Sequence, residues 1–157
     1  MNNQKNHFEN GDFYCCNCSQ WVPFTHSMGT RHRNHCPFCL WSKHVDDHIS
    51  GDRASKCQAN MKPIGLTFKH EGADKYGRPR QGEIMVVHEC TACDEISINR
   101  IAADDSPEAI LGIYRQSLEL HQNKKANLVQ KGIQLISPEK EDVVMKQLFG
   151  KNSPGGE

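Results

Sequence analysis

The sequence predicts a small α+β protein, in which a zinc-stabilised antiparallel β module of the zinc-ribbon type precedes a helical C-terminal extension. Eight cysteines and nine histidines occur in 157 residues, and three Cys-x-x-Cys pairs lie before residue 105. Hydrophobic residues make up only 36% of the chain. A core with so few apolar residues usually needs additional stabilisation by disulfides or structural metal ions. Signals for the start of a helix follow at Ser106 and Ser137. Since we find no secretory signal, the cysteine pairs favour metal binding over disulfide formation.

Two of the cysteine pairs predict a first zinc site. Cys15 and Cys18 are separated by two residues, as are Cys36 and Cys39, and seventeen residues lie between the pairs. This spacing is typical of structural zinc, because each pair places two thiolates on one tight turn and two turns complete a tetrahedron. We therefore predict a four-thiolate site. Cys16 lies between two ligands, and its side chain should point away from the metal.

The strands are predicted in chain order around these turns. After a polar and disordered segment 1–12, short strands are expected at residues 20–25 and 40–45. A hairpin follows, with strands 64–69 and 83–89, because the segment between them is rich in glycine and includes a proline. A last strand over residues 95–101 alternates apolar and polar side chains.

Three further cysteines predict a second zinc site, which needs one more ligand. Cys57, Cys90 and Cys93 supply three thiolates, whereas a structural zinc takes four ligands. We favour His44 slightly as the fourth, because it ends the strand that leaves the first site and could tie the two sites together. The alternatives are His48, His70 and His88. A three-ligand site that keeps a water molecule would instead have the form of a catalytic site.

The C-terminal third is predicted to be mostly helical. Ser106, Pro107 and Glu108 are a helix start, and apolar residues at helical spacing continue to about residue 124. A short strand at 132–136 and a second helix after Ser137 complete the extension. We thus divide the chain into a disordered segment 1–12, a zinc-binding domain 13–105, a helical extension 106–150 and a disordered tail 151–157.

The run Arg33-Asn34-His35-Cys36-Pro37 resembles the signature of the RNHCP-domain family. The resemblance extends over about residues 12–105 and includes the sequences Phe13–Cys18, Cys36–Asp46, Gly51–Arg53, Cys57, Met61–Ile64, His88–Cys93 and Asn99–Arg100. It implies a small, ribbon-like zinc-binding module and no particular biochemical activity. Asp94 stands where we expect a glycine, which should affect the turn more than metal binding.

The residues around the second cysteine pair suggest that the module binds RNA or a ribonucleoprotein. Between Ser19 and Val45 no acidic residue occurs, whereas cations and aromatic side chains alternate there, a combination that suits phosphates and unstacked bases. The candidate nucleic-acid-binding residues are Arg31, Arg33 and Lys43, with Arg78 and Arg80 on the hairpin. The chain has zero formal net charge, and two loaded zinc sites would bring it to about −3, so only a local basic patch is expected.

Two other functions remain open from the sequence. The cluster His35, His44, Asp46, Asp47 and His48 could supply the general base and metal ligands of a metal-dependent nuclease. Residues 106–150 could instead dock a protein partner, which would make the chain an adaptor. We favour a non-catalytic cytoplasmic module, and no apolar run is long enough to span a membrane. Asn34 and His35 have no assigned role, although they could brace the thiolates through hydrogen bonds.

Overall fold

The computed structural model describes residues 12–23, 35–46, 54–70, 72–78 and 82–150, and it has the predicted α+β architecture. Two antiparallel sheets are followed by three α-helices. The strands are β1 (Phe13–Tyr14), β2 (Trp21–Val22), β3 (Ser42–Lys43), β4 (Asn60–Phe68), β5 (Ile84–Cys90) and β6 (Ile96–Arg100). The helices are α1 (Pro107–Ser117), α2 (Gln122–Gln130) and α3 (Glu141–Phe149), with a 3₁₀ turn at Pro138–Lys140.

The main sheet has the strand order β3-β4-β5-β6, and β1 and β2 form a separate hairpin. Strands β4 and β5 are the predicted hairpin pair, with Leu66 opposite Val86, and the register shifts once between Pro63 and Gly65. Alternate residues of a strand point to opposite faces, so Val86 and Val87 face different sides. Because both are fully buried, the centre of the sheet is covered on both faces.

The helices provide this cover. On the Val86 face, α1 and α3 pack against the sheet in the largest apolar cluster of the described residues. Its buried members are Leu40, Leu66, Ile84, Val86, Ile110, Leu111, Ile113, Tyr114, Ile136, Val144 and Met145. On the Val87 face, Leu128 of α2 packs with Ile64 and Ile133. The apolar faces of the helices therefore stabilise the sheet.

The C-terminal elements differ in detail from the sequence prediction. The helix predicted over 106–124 is two helices, since α1 ends at Ser117 and α2 begins at Gln122. His121 starts the second helix, because its Nδ1 accepts the N–H of Asn123. The strand predicted at 132–136 does not form. This segment is irregular, although Ile136 donates a backbone hydrogen bond to Leu66 of β4.

The predicted start of α1 is confirmed in atomic detail. Ser106 is the N-cap and its Oγ accepts the N–H of Ala109, with Pro107 in the first turn. The backbone N–H of Ser106 also donates to the carbonyl of Pro37, which joins α1 to the second cysteine pair. The disorder predicted for residues 1–12 and 151–157 stays a prediction, because all of these residues except Asp12 lie outside the described residues. Among the described helices, none has the length and apolar character needed to cross a bilayer.

Candidate metal centres

The three Cys-x-x-Cys turns share one backbone geometry. In each, the N–H of the first cysteine donates to the carbonyl five residues later, at 2.8–2.9 Å. This bond closes the turn and brings both thiols to the same side. The pairs are Cys15 with Gln20, Cys36 with Trp41, and Cys90 with Glu95.

A residue in the left-handed backbone conformation follows the second cysteine of each turn, and another follows the isolated Cys57. The non-glycine residues with positive φ in the described part of the chain are Ser19, Leu40, Gln58 and Asp94, with φ between 58° and 65°. They come directly after Cys18, Cys39, Cys57 and Cys93. This conformation costs roughly 1 kcal/mol for a residue with a Cβ. The chain therefore concentrates backbone strain beside its candidate ligands, as is common at functional sites.

The first cluster contains the four cysteines that the sequence pairs predict. Their sulfur atoms all lie within 4.8 Å of one another. Cys15 Sγ is 3.5 Å from Cys39 Sγ, and Cys18 Sγ is 3.6 Å from Cys36 Sγ. A tetrahedral ion with bonds of about 2.3 Å to sulfur would place the sulfurs about 3.8 Å apart. The cluster therefore has the size of a four-thiolate metal site.

The surroundings of this cluster lower the pKa of one thiol and raise those of others. The hydrogen bond from Cys36 lowers the pKa of Cys39 to about 4, whereas burial raises the pKa of Cys15 to about 11. Backbone N–H groups of Asn17 and Phe38 donate to Cys15 Sγ and Cys36 Sγ. Four thiolates in so small a volume repel one another, and a divalent cation removes that repulsion.

The second cluster unites His44, Cys57, Cys90 and Cys93, whose ligand atoms also lie within 4.8 Å of one another. Cys57 Sγ is 3.6 Å from Cys90 Sγ, and Cys93 Sγ is 3.3 Å from His44 Nδ1. Burial acts to raise the pKa of Cys90, but hydrogen bonds from the N–H groups of Cys93 and Ala92 and from His44 outweigh it and lower that pKa to about 6. Cys93 is exposed, so this cluster lies nearer the surface than the first. Each of the two clusters could hold a metal ion.

A sequence model of the RNHCP domain matches residues 10–111, well over half of the 157 residues. The chain belongs to the RNHCP-domain family. This RNHCP domain contains every member of both clusters, and the match ends inside α1. No curated protein matches the chain, and no solved structure does.

Two of the other candidate histidines of the RNHCP domain, His70 and His88, lie outside the second cluster. His88 is fully buried, and its Nε2 donates to the carbonyl of Leu40 while its Nδ1 accepts from Asn99. Burial lowers the pKa of His88 to about 4, so the ring is neutral and both nitrogens are engaged. His70 lies beyond the opposite end of β4, and His48 is outside the described residues.

Cys16 also lies outside both clusters. Its Sγ is 3.3 Å from the carbonyl oxygen of Ser42, to which it donates. The position is consistent with the prediction that its side chain points away from the first cluster. The bond instead links the β1–β2 hairpin to β3.

The structure places two of the residues that the nuclease hypothesis groups together, His35 and His44, in different surroundings. His35 is buried and its Nε2 lies 2.7 Å from Oδ2 of Asp105, whose side chain is fully buried. His44 belongs to the second cluster. Asp47 and His48 lie outside the described residues. Sequence reasoning missed Asp105, and no local signal identifies it, because its partner is seventy positions away.

The candidate nucleic-acid-binding residues are only partly described. Lys43 is half-buried on β3, close enough to Cys16 to oppose the rise in pKa that burial causes in that thiol. Arg78 is exposed on the loop of the β4–β5 hairpin, where it stacks over Tyr76. Arg31, Arg33 and Arg80 lie outside the described residues.

Proposed function

We propose that the protein is a non-catalytic zinc-binding module that binds single-stranded RNA, alone or in a ribonucleoprotein, beside its first metal site. Zinc is the ion that the donors favour, because thiolate and imidazole ligands in tetrahedral arrangement are typical of structural zinc. The first ligand set is Cys15, Cys18, Cys36 and Cys39. The second is His44, Cys57, Cys90 and Cys93. With four protein donors at each ion, no position is left for a substrate, which supports structural roles.

The observation that carries the RNA proposal is a set of exposed aromatic rings around the first cluster. Tyr14, Trp21 and Phe38 are 52%, 41% and 56% exposed. Tyr14 and Trp21 are in edge-to-face contact, with ring centroids 4.8 Å apart, and Phe38 lies between the ligands Cys36 and Cys39. A protein with few apolar residues leaves large rings in solvent here, as proteins that stack on nucleobases do.

Basic residues complete the proposed surface. Lys43 lies on β3, close to Cys16. Arg31 and Arg33 belong to the chain segment between β2 and the second cysteine pair. Their charges would contact phosphates, while the rings would stack on bases. This division of roles is common in single-strand recognition.

The two alternatives receive less support from the same structure. A nuclease needs reactive groups free to meet substrate or metal. His35 is instead hydrogen bonded to buried Asp105, and His44 lies among three cysteines. An adaptor that docks through the C-terminal helices needs an apolar helical face. The apolar residues of α1 and α3 are packed against the sheet.

A direct test measures the binding of the full-length, zinc-loaded chain to fluorescently labelled single-stranded RNA at several salt concentrations. Trp21→Ala and Phe38→Ala should each weaken binding about tenfold, since stacking is worth roughly 1–3 kcal/mol per base. Arg31→Ala plus Arg33→Ala should weaken it and reduce its salt dependence. Ile98→Ala is the matched control, because Ile98 is an exposed apolar residue on β6.

The same experiment distinguishes the alternatives. The RNA proposal is wrong if no RNA binds at low salt, or if the aromatic variants bind like the control. Cleavage of the RNA in magnesium or manganese that Asp46→Ala abolishes would support the nuclease instead. Metal analysis of the protein should give zinc at both sites.

A further inference from the structure

A cleft of about 1000 Å³ lies at the end of the β4–β5 hairpin opposite the second metal cluster. It opens between the end of β4, residues 67–70, and the irregular connection 132–137 that follows α2. Met61 of β4 pairs with Cys90, whereas Phe68 is seven residues further along the strand. A strand rises about 3.4 Å per residue, so roughly 24 Å separate the cleft from the metal end. The cleft is therefore far from the second cluster, and its described lining residues include no member of the first cluster and none of the exposed rings beside it.

The walls of the cleft include apolar side chains that remain accessible to solvent. Phe68 and Leu135 are half-buried there, and Val129 of α2 is 62% exposed. Exposed apolar surface in a concave site is typical of ligand binding. The volume of the cleft and the aromatic ring of Phe68 suit a flat apolar body such as a nucleobase.

Among the described residues that line the cleft, the charged side chains are basic. They are Lys69 and Lys140, beside His70, and no carboxylate side chain is among the described residues that line it. Lys69 Nζ is 3.8 Å from Glu83 Oε1, but Arg100 Nε is closer to the same oxygen, at 3.3 Å. Two cations thus share one carboxylate, and a positive charge remains. The cleft is complementary to an anion.

The hairpin loop extends this basic surface beyond Gly72, which lines the cleft. Tyr76 is 69% exposed, and Lys75 and Arg78 each lie about 5 Å from its ring centroid. Asp74 builds the loop, since its Oδ1 accepts the N–H groups of Tyr76 and Arg78 and its Oδ2 accepts from Arg78 Nε. An exposed ring with two cations about 5 Å from its centroid therefore lies in the hairpin loop.

We propose that the cleft and the hairpin loop form a second contact for the same single-stranded RNA. Phosphates lie against Lys69 and Lys140, and bases pack on Phe68 and Tyr76. This inference rests on the proposed function, because it extends RNA binding to a second surface. RNA long enough to reach both surfaces binds as a bivalent ligand, and its affinity exceeds that of short oligonucleotides.

The test compares oligonucleotides of increasing length on the zinc-loaded, full-length chain. In the wild type, affinity should rise at least tenfold once the RNA spans both surfaces. Lys69→Glu plus Lys140→Glu should abolish that gain while it leaves short oligonucleotides bound at the first surface. Lys56→Glu plus Lys146→Glu makes the same charge change at exposed lysines that do not line the cleft, and should keep most of the gain. Circular dichroism verifies that both double variants are folded.

The outcomes for the cleft and for the proposed function are separable. If Trp21→Ala weakens RNA binding but the cleft variant behaves like its lysine control, the cleft inference is overturned and the proposed function stands. If the cleft variant alone weakens binding, the cleft is supported and the first surface is not. An absence of RNA binding overturns both, and an acidic peptide such as oligoglutamate that competes as well as RNA overturns the choice of occupant.

Discussion

His35 Nε2 and Asp105 Oδ2 lie 2.7 Å apart in the interior of the protein, although the two residues are seventy positions apart in the chain. His35 immediately precedes Cys36 of the first cluster, and Asp105 immediately precedes the N-cap of α1. The same Asp105 oxygen accepts the N–H of Ala102 at 2.8 Å. This contact joins the first metal site to the start of the helical extension.

We predict that Asp105→Ala destabilises the protein by about 3 kcal/mol, because it removes one partner of a buried pair and leaves His35 unsatisfied. Urea unfolding of the zinc-loaded protein measures the free energy of unfolding. Glu119→Gln on the exposed surface is the control and should change it little. If the loss of stability in the double variant equals the sum of the losses in His35→Ala and Asp105→Ala, the two residues do not stabilise the protein as a pair.

Metal content should identify the ligands of the second cluster. We expect two zinc ions per chain, and one in Cys57→Ser, because three donors hold zinc less tightly than four. His44→Ala should lower the zinc content or weaken the second site. Elemental analysis with a chelator titration measures both effects.

Two substitutions serve as controls for that experiment. His70→Ala should retain two zinc ions, since His70 lies at the far end of β4. Cys16→Ser should do so as well, because Cys16 bonds to Ser42 and not to the first cluster. Loss of zinc from either control would contradict the ligand sets proposed for the two clusters.

Removal of zinc should unfold the cysteine-rich part of the chain. Among the described residues, the apolar cluster around the first site has four buried members, and two of them are the cysteines Cys15 and Cys36. So few apolar contacts cannot hold this part of the chain together without the ion, and metal binding therefore supplies folding free energy. A strong chelator should abolish the near-ultraviolet dichroism of Trp41, which packs there. Unchanged dichroism in demonstrably zinc-free protein would contradict this prediction.

Replacement of Asp94 tests the strained turn after Cys93. Asp94 has φ of 61°, where glycine is accommodated without steric cost. Asp94→Gly should therefore raise stability by up to about 1 kcal/mol, and Asp94→Val should lower it by more. Thermal unfolding measures both. Equal stability of the glycine and valine variants would show that this turn is not strained.

Gly65 and Gly112 are a matched pair of glycine positions. A Cβ on Gly65 would meet Leu135 Cδ2 at 2.8 Å and Ser117 Cβ at 3.2 Å, whereas a Cβ on Gly112 meets nothing within 4 Å. Gly65→Ala should lower the free energy of unfolding by about 1–3 kcal/mol, because the added methyl group crowds Leu135 and Ser117. Gly112→Ala in α1 should stabilise the protein by up to about 1 kcal/mol. If urea unfolding shows that Gly65→Ala is more stable than Gly112→Ala, the close packing described around Gly65 is wrong.

The cysteine spacing was sufficient to predict the first candidate ligand cluster, and the three remaining cysteines Cys57, Cys90 and Cys93 predicted all but the histidine of the second. Such turns are local, so two residues between cysteines determine which way the thiols face. The same local logic predicted the N-cap at Ser106, which accepts its bond from a residue three positions away. It failed between Ser117 and Gln122, where apolar periodicity continues but the chain turns and restarts a helix at His121.

The sequence by itself determined the α+β class, the family and the cysteines that form two metal-sized clusters, because these depend on spacing over a few residues. Only the tertiary structure decided which histidine joins the second cluster. The local pattern favours His44 only slightly over His88. In the structure, His44 directly follows β3 and lies beside Cys93, while His88 faces the core and bonds to Leu40 and Asn99. The His35–Asp105 pair likewise depends on the tertiary structure. Two segments that are distant in the sequence pack together there, and their buried polar side chains satisfy each other by a hydrogen bond.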